Sequence, residues 1–120
     1  LKTILVVDDS KMSRMMISRI VATHYPQWKI LEAENGDSAL EVVDGKDVDI
    51  MTIDVNMPGM NGVELGEILR ERYPDAAISL VTANIQPAIK EKAKEAHLRF
   101  IPKPITEDRI LGYLRAFDHD

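Results

Sequence analysis

Four short apolar runs in this chain each lead into reactive polar residues, and this pattern strongly limits how the chain can fold. The runs cover residues 4–7, 50–53, 78–81 and 100–102, and the residues that follow them are Asp8 with Asp9, Asp54, Thr82, and Lys103 with Pro104. Runs of this length, bounded by turn signals, are typical of buried strands in a parallel sheet. Ligands of such sheets bind outside the carboxyl ends of the strands. We therefore expect three acids, a hydroxyl and an amine at one edge of the sheet.

Length and composition are those of a single globular domain. The 120 residues can build one hydrophobic core, so we treat 1–120 as one domain. The formal net charge of -5 argues against direct nucleic-acid binding, which depends on neutralising phosphates. The absence of cysteine excludes disulfides, thiolate catalysis and cysteine-ligated metals. Because neither a membrane-length apolar stretch nor a signal peptide is visible in the sequence, we expect a cytoplasmic protein without membrane contacts.

Strand and helix patterns alternate five times, which predicts a βα fold with right-handed crossovers. We predict strands at about 3–8, 29–34, 49–54, 77–82 and 99–102, and helices at about 11–24, 37–44, 62–73, 87–96 and 106–117. Ser10 and Thr106 are expected N-caps, and Pro26 and Pro74 should each end a helix at the preceding tyrosine. The most apolar runs should be central, which gives a flavodoxin-like, doubly wound parallel sheet of order 2-1-3-4-5 with Asp54 on the middle strand.

The acids at this edge of the sheet need a counter-charge. Neighbouring strands lie about 4.8 Å apart, so Asp8, Asp9 and Thr82 can all face Asp54, and the long Lys103 side chain can cross roughly 10 Å. Two carboxylates about 4 Å apart repel each other by on the order of 4 kcal/mol near a protein surface. With only oxygen ligands on offer, we expect a hard cation, Mg²⁺ or alternatively Mn²⁺. A cation, an amine and a hydroxyl around a carboxylate form a clamp for a phosphoryl group.

These residues resemble those of response-regulator receiver domains, the CheY-like family of two-component signal transduction. The resemblance rests on Asp8-Asp9-Ser10, on residues 54–62 (DVNMPGMNG), on Thr82-Ala83 and on Lys103-Pro104. It covers nearly the whole chain, and four motifs in this order, each after its own strand, are very specific. It implies a phosphorelay switch rather than an enzyme, with no catalysis beyond its own phosphorylation and dephosphorylation.

The resemblance also implies the residues of the phosphorylation site. Asp54 would accept a phosphoryl group from the phosphohistidine of a histidine kinase or histidine phosphotransfer domain. Asp9, Asp54 and the backbone carbonyl of Asn56 would hold Mg²⁺ directly, and Asp8 would do so mainly through water. The Lys103–Pro104 peptide bond would be cis, which X-Pro bonds allow at low cost.

Other implied roles concern the signal and its lifetime. Lys103 and Thr82 would bind the phosphoryl oxygens. Phe100 matches the family's aromatic switch and would turn inward as Thr82 moves, changing the surface of the fourth helix, fifth strand and fifth helix. A downstream protein target would bind this surface. Asn56 and Asn84 stand at positions that tune how fast receivers lose the phosphoryl group.

The first predicted helix carries apolar residues on two faces. Helical spacing predicts a buried stripe made of Met16, Ile17, Ile20 and Val21. A different face, which starts beside the acid pair, carries Lys11, Met12, Met15 and Arg19. This second face is either an ordinary boundary surface or a docking patch for a four-helix phosphotransfer domain, with adaptable methionines at its centre.

The remaining notable positions have plainer interpretations. The three histidines share no metal-ligand spacing, so we expect surface or helix-end positions for His24, His97 and His119. Ala96-His97 stands where many receivers have Gly-Ala, so the loop before the last strand is expected to differ.

Three other functions fit parts of the pattern less well. A haloacid-dehalogenase-type phosphohydrolase would need an acid where Asn56 stands, another motif order and room for a cap domain. A flavin-binding module would place a phosphate beside Asp8 and Asp9, which would repel it. A pseudo-receiver that works without phosphorylation would not need the complete set of acids, Thr82 and Lys103.

The output of the switch has two interpretations. The chain ends soon after its last predicted helix, which favours a stand-alone receiver that acts by protein contact, as in chemotaxis. A receiver excised from a larger regulator or hybrid kinase is the alternative.

Overall fold

In the computed structural model, residues 1–117 are described, and five parallel strands among them form one sheet. The strands are β1 (Thr3–Val7), β2 (Lys29–Ala33), β3 (Ile50–Ile53), β4 (Ala77–Thr82) and β5 (Arg99–Pro102). The helices are α1 (Lys11–His24), α2 (Gly36–Val43), α3 (Gly62–Arg72), α4 (Pro87–Glu95) and α5 (Glu107–Leu114). The strand order β2-β1-β3-β4-β5 confirms the predicted flavodoxin-like sheet.

The two faces of the sheet are covered by different helices. Alternate strand residues point to opposite faces, so Leu5 packs in the layer that includes α2, α3 and α4, and Ile4 packs in the layer of α1 and α5. Burial on both faces explains why β1 and β3 show near-continuous apolar character rather than alternation. None of the helices in residues 1–117 is long and apolar enough to span a membrane.

The predicted helix ends are set by the expected local chemistry. The Ser10 and Thr106 side chains accept hydrogen bonds from backbone N–H groups in the first turns of α1 and α5, which confirms both N-caps. Tyr25 and Tyr73 end α1 and α3 just before a proline, as predicted. The largest difference is at the last helix, because α5 ends at Leu114 and a 3-10 turn covers Arg115–Phe117.

The buried stripe predicted for α1 is wrong at Met16. Ile17 and Val21 are buried, but Met16 is 42% exposed. Met16 instead lines a surface groove beside Met12 and Met15. The apolar surface of α1 is therefore wider than its contact with the sheet requires.

Two of the three histidines lie at exposed helix ends, as predicted. His24 is the last residue of α1, and its Nε2 lies 2.9 Å from Glu107 Oε1 of α5. His97 is exposed just after α4. The predicted position of His119 lies outside the described residues.

The loop at Ala96–His97 contains a residue in a left-handed backbone conformation. His97 has φ 60°, its N–H donates to the Lys94 carbonyl at 3.1 Å, and the Leu98 N–H donates to the Ala93 carbonyl at 2.8 Å. This pair of bonds is the Schellman ending of a helix, in which glycine usually takes the left-handed position. The departure from the Gly-Ala pattern thus includes His97, a position where a side chain costs free energy.

Candidate phosphoryl-acceptor site

The carboxyl ends of four neighbouring strands bring the predicted residues together. Asp8 follows β1, Asp54 follows β3, Thr82 ends β4 and Lys103 follows β5. The strand register is nearly level, with Val7 beside Ile53 and Ile53 beside Leu80. These polar residues therefore lie at the same edge of the sheet, as the sequence predicts.

Three carboxylates form the centre of this edge. Oxygens of Asp8, Asp9 and Asp54 all lie within 4.8 Å of one another. Asp8 is 2% exposed and Asp54 is 7% exposed, whereas Asp9 is exposed. An all-oxygen donor set that combines buried and exposed acids suits a hard divalent cation, which keeps several waters while it binds a few carboxylates. The residues present therefore fit Mg²⁺.

Lys103 is held between two of the acids. Its Nζ lies 2.9 Å from Asp8 Oδ2 and 3.5 Å from Asp54 Oδ2. Burial alone would lower the pKa of Lys103, but its hydrogen bond to Asp8 and the charge of Asp54 outweigh burial and raise that pKa above its usual value. The Lys103 backbone N–H also donates to the Thr82 carbonyl at 2.9 Å, and the Lys103–Pro104 peptide bond is cis. The raised pKa keeps the ammonium group charged at neutral pH, 3.5 Å from an oxygen of Asp54.

Asp54 lies in an environment that disfavours its charge. Burial first, and then the negative charge of Asp8, raise the pKa of Asp54 above its ordinary value. The charge of Lys103 and hydrogen bonding from Thr82 and the Asn56 backbone act in the opposite direction but do not cancel the increase. A buried carboxylate with few counter-charges is stabilised when a cation or a covalent group neutralises it.

The loop after Asp54 folds back closely on that residue. The Gly62 N–H donates to the Val55 carbonyl at 2.9 Å. A Cβ atom on Gly62 would lie 2.1 Å from the Asp54 carbonyl oxygen, which is a severe overlap. Asn61 caps α3 by accepting a hydrogen bond from the Glu64 N–H. Gly62 therefore fixes the path of the loop, and Asn56, which lies in this loop, is exposed.

The residues predicted to tune and transmit the signal lie on the β4 side of the site. The Thr82 side chain is fully buried, and its Oγ1 accepts a hydrogen bond from the Asn84 N–H at 3.1 Å. The Asn84 amide nitrogen lies 3.5 Å from Asn56 Oδ1, so these two side chains face each other. The Phe100 ring is partly buried, and Lys90 Nζ lies 5.6 Å from its centroid.

The predicted docking residues lie on one surface groove. The groove is lined by Lys11, Met12, Met15 and Arg19 together with Met16, Ile20, Ile105 and Glu107. Met12 is 72% exposed and Met15 is 48% exposed, which is unusual for large apolar side chains. Because Ile105 and Glu107 follow Lys103 closely in the chain, the groove lies beside the loop that carries the site lysine.

One residue that contacts the site was missed by sequence reasoning. Arg14 Nη1 donates to the Asp8 carbonyl at 2.6 Å, and Arg14 Nε lies 3.4 Å from Glu32 Oε1. A side chain that contacts a backbone oxygen leaves no motif, because any residue supplies that oxygen. Helical spacing, which places Arg14 one turn after the Ser10 cap, is the only signal the sequence offers.

Comparison with known proteins identifies the same class of domain. The response regulator receiver domain family matches residues 4–115. The chemotaxis protein CheY of Listeria monocytogenes is 36% identical over 116 residues, which cover 92% of this chain and 93% of that protein. The crystal structure of Vibrio cholerae CheY4 has a TM-score of 0.87 at 27% identity and covers 97% of this chain and 98% of that one. Thermotoga maritima TrrA, solved in complex with Mg²⁺-BeF, has a TM-score of 0.84 at 28% identity with the same coverage.

The chain belongs to the response regulator receiver domain family, the phosphoryl-accepting signalling domains of two-component systems. It spans only 34% and 27% of the length of two other relatives, a transcriptional regulatory protein of Brevibacillus brevis and a cyclic di-GMP phosphodiesterase of Thermotoga maritima. Among its relatives the receiver therefore occurs both nearly alone and as part of longer proteins, some of them enzymes.

Removal of the Asp54 charge should stabilise the metal-free protein at neutral pH. A raised pKa means that the folded state holds the Asp54 proton more tightly than the unfolded state, so stability falls as pH rises through that pKa. Asp54→Asn should raise the free energy of unfolding at pH 7 by about 1–2 kcal/mol, because burial of the charge and its repulsion by Asp8, on the order of 4 kcal/mol for two acids about 4 Å apart, are only partly offset by Lys103.

Urea unfolding in a chelator-containing buffer at pH 7 and pH 4 measures this effect. The increase in the free energy of unfolding caused by Asp54→Asn should be smaller at pH 4, where Asp54 carries its proton more often. The control variant Glu41→Gln removes an exposed acid on α2 and should have little effect at either pH. A variant that is no more stable than wild type at pH 7 would contradict this account of Asp54.

Proposed function

We propose that this domain accepts a phosphoryl group on the carboxylate of Asp54 from a phosphohistidine and later loses it by hydrolysis. The observation that carries the proposal is the position of Asp54, which is 7% exposed, has oxygens of Asp8 and Asp9 within 4.8 Å and lies 3.5 Å from Lys103 Nζ. Such an arrangement suits a dianionic group that arrives together with a cation.

The metal that we propose is Mg²⁺, with Mn²⁺ as a substitute that prefers the same oxygen donors. Asp9, Asp54 and the backbone carbonyl of Asn56 would hold the ion directly, and Asp8 would hold it mainly through water. When bound, the ion would supply positive charge to the phosphoryl oxygens during transfer. The structure of the relative TrrA, solved in complex with Mg²⁺-BeF, supports the choice of metal.

The residues of the chain then have separate tasks in phosphoryl transfer. An oxygen of Asp54 forms a bond to phosphorus while the bond between phosphorus and the donor's imidazole nitrogen breaks. Lys103, whose Nζ is already 3.5 Å from Asp54 Oδ2, provides a fixed positive charge for the transferred group. The Thr82 hydroxyl donates a hydrogen bond to a phosphoryl oxygen. Asn56 and Asn84, which face each other beside the site, control the approach of the water that later hydrolyses the acyl phosphate.

The donor docks on the groove of α1. Lys11, Met12, Met15 and Arg19 provide an exposed, partly cationic and apolar surface next to the loop that carries Lys103. Methionine side chains adapt to differently shaped partners. A helical surface of a histidine kinase or phosphotransfer domain would bury these residues and bring its phosphohistidine to the exposed side of the acid cluster.

The surface formed by α4, β5 and α5 changes on phosphorylation and is the output face of the domain. Phe100 lies on β5 and packs beside Lys90 of α4, so movement of its ring changes both elements. Once Thr82 moves toward the phosphoryl group, the space that it leaves favours an inward position of the Phe100 ring. A downstream protein then distinguishes the two arrangements of this face.

Incubation with Mg²⁺ and acetyl phosphate should add one phosphoryl group to the wild-type protein, as read by intact mass spectrometry. Asp54→Ala should remain unmodified because the attacking carboxylate is gone. Asp75→Ala removes an exposed acid just before the start of β4, at the opposite end of that strand from Thr82, and should be modified like wild type. The same modification in Asp54→Ala would show that another residue is the acceptor.

Changes to the α1 groove should slow phosphoryl transfer from a protein donor but not from a small-molecule donor. Met15→Glu should slow transfer from a phosphorylated cognate phosphotransfer domain about tenfold, since the loss of one central apolar contact commonly costs about 1–2 kcal/mol. Phosphorylation of Met15→Glu by acetyl phosphate should be as fast as that of wild type. Ile68→Glu, which alters an exposed apolar side chain on α3, is the matched control and should not slow either reaction. Equal rates for Met15→Glu and wild type with the protein donor would exclude this docking surface.

Thr82 should link phosphorylation to the output face. Thr82→Ala should still accept the phosphoryl group, but phosphorylation should change its output face only weakly. Thr82→Ser keeps the hydroxyl, so its output face should respond to phosphorylation as in wild type. NMR spectra with and without the phosphoryl mimic beryllofluoride measure this, with large shifts expected over residues 84–113 in wild type and Thr82→Ser. Shifts in Thr82→Ala that are identical to those in wild type would show that another residue links phosphorylation to the output face.

A further inference from the structure

We infer that Arg14 is a positioning residue of the phosphoryl-acceptor site, an inference that rests on the proposed function of the acid cluster. Arg14 would act by holding the peptide unit between Asp8 and Asp9, without contact to the metal or the phosphoryl group. Its role would be to keep the Asp9 carboxylate where a divalent cation can use it.

The contacts of Arg14 join three elements at the edge of the sheet. Its Nη1 donates to the Asp8 carbonyl at the end of β1 at 2.6 Å, and its Nε lies 3.4 Å from Glu32 Oε1 on β2. The Arg14 side chain is 15% exposed, so this guanidinium is largely withdrawn from water. A planar group with several donors can serve both partners at once, which a lysine ammonium cannot do with the same geometry.

The bond to the Asp8 carbonyl bears directly on Asp9. The Asp8 oxygen belongs to the planar peptide unit that also contains the nitrogen and Cα of Asp9. The other polar groups of Asp8 are bound elsewhere: its N–H to the Ala33 carbonyl, its Oδ1 to the Ser10 N–H and its Oδ2 to Lys103. Those bonds fix Asp8 itself, whereas the bond from Arg14 fixes the plane that Asp8 shares with Asp9.

Arg14 could act by positioning Asp9 or by supplying positive charge, and these two roles predict opposite effects on cation binding when Arg14 is replaced. If only its positive charge mattered, its loss would leave the acids more negative and would strengthen cation binding. If it positions Asp9, its loss would weaken cation binding, because Mg²⁺ requires near-ideal ligand geometry. Residues that orient metal ligands typically change metal affinity by about 10–100-fold when they are replaced.

Calorimetric titration with Mg²⁺ and with Mn²⁺ tests the inference. Arg14→Gln should weaken binding about tenfold. Arg14→Lys should weaken it by a smaller factor, and Glu32→Gln should weaken it slightly because the guanidinium loses its second anchor. Lys29→Gln removes an exposed cation at the opposite end of β2 and should bind like wild type. Urea unfolding of each variant shows whether the fold is retained.

Phosphorylation by acetyl phosphate provides a second readout. The Mg²⁺ concentration at half-maximal rate should rise in Arg14→Gln, while the rate at saturating Mg²⁺ should return to within about twofold of wild type, since only ground-state metal binding is impaired. A folding defect alone would lower the maximal rate without this shift.

Unchanged or tighter metal binding in folded Arg14→Gln would overturn the inference and leave the proposed function intact. If Arg14→Gln does not fold, wild-type affinity in both Arg14→Lys and Glu32→Gln would overturn it equally. If the wild-type protein itself binds neither ion, the proposed metal site fails and the inference fails with it.

Discussion

Repulsion among Asp8, Asp9 and Asp54 is the interaction on which the rest of the site depends. The parallel sheet ends its central strands at one edge, and the two layers of helices withdraw Asp8 and Asp54 from water, where their charges would be screened. Burial first, and then the charge of Asp8, raise the pKa of Asp54, and Lys103 offsets these effects only in part. The folded state therefore maintains an unfavourable charge, which the proposed cation or phosphoryl group would relieve.

The same strands connect the acid cluster to the surface. Thr82 ends β4, and its carbonyl accepts the backbone N–H of Lys103, so the residues proposed to bind the phosphoryl group are tied to each other before it arrives. Leu80 lies beside Phe100 in the register of β4 and β5, two residues before Thr82 ends its strand. Because this region is packed, the proposed displacement of Thr82 would favour one of two arrangements of the Phe100 ring rather than a gradual change.

Sequence reasoning predicted the features that depend on local chemistry and strand ends. The order of the strands, the caps at Ser10 and Thr106 and the meeting of the acids with Thr82 and Lys103 follow from apolar runs, cap preferences and strand geometry. It was wrong about Met16, because helical periodicity identifies an apolar face without showing how much of that face the sheet covers. It missed Arg14, whose partner is a backbone oxygen. It also noted Ala96–His97 without predicting the left-handed conformation of His97, which depends on how α4 meets β5.

The stability of the protein as a function of Mg²⁺ concentration tests the central claim most directly. If the acid cluster is a cation site, Mg²⁺ should raise the free energy of unfolding of wild type, by about 1.4 kcal/mol at ten times its dissociation constant. Asp9→Ala should lose this dependence and should be at least as stable as wild type in chelator, since one repelling charge is gone. NaCl at matched ionic strength separates ion binding from screening. A wild-type stability that does not respond to Mg²⁺ beyond the NaCl control, or an equal response in Asp9→Ala, would contradict the account.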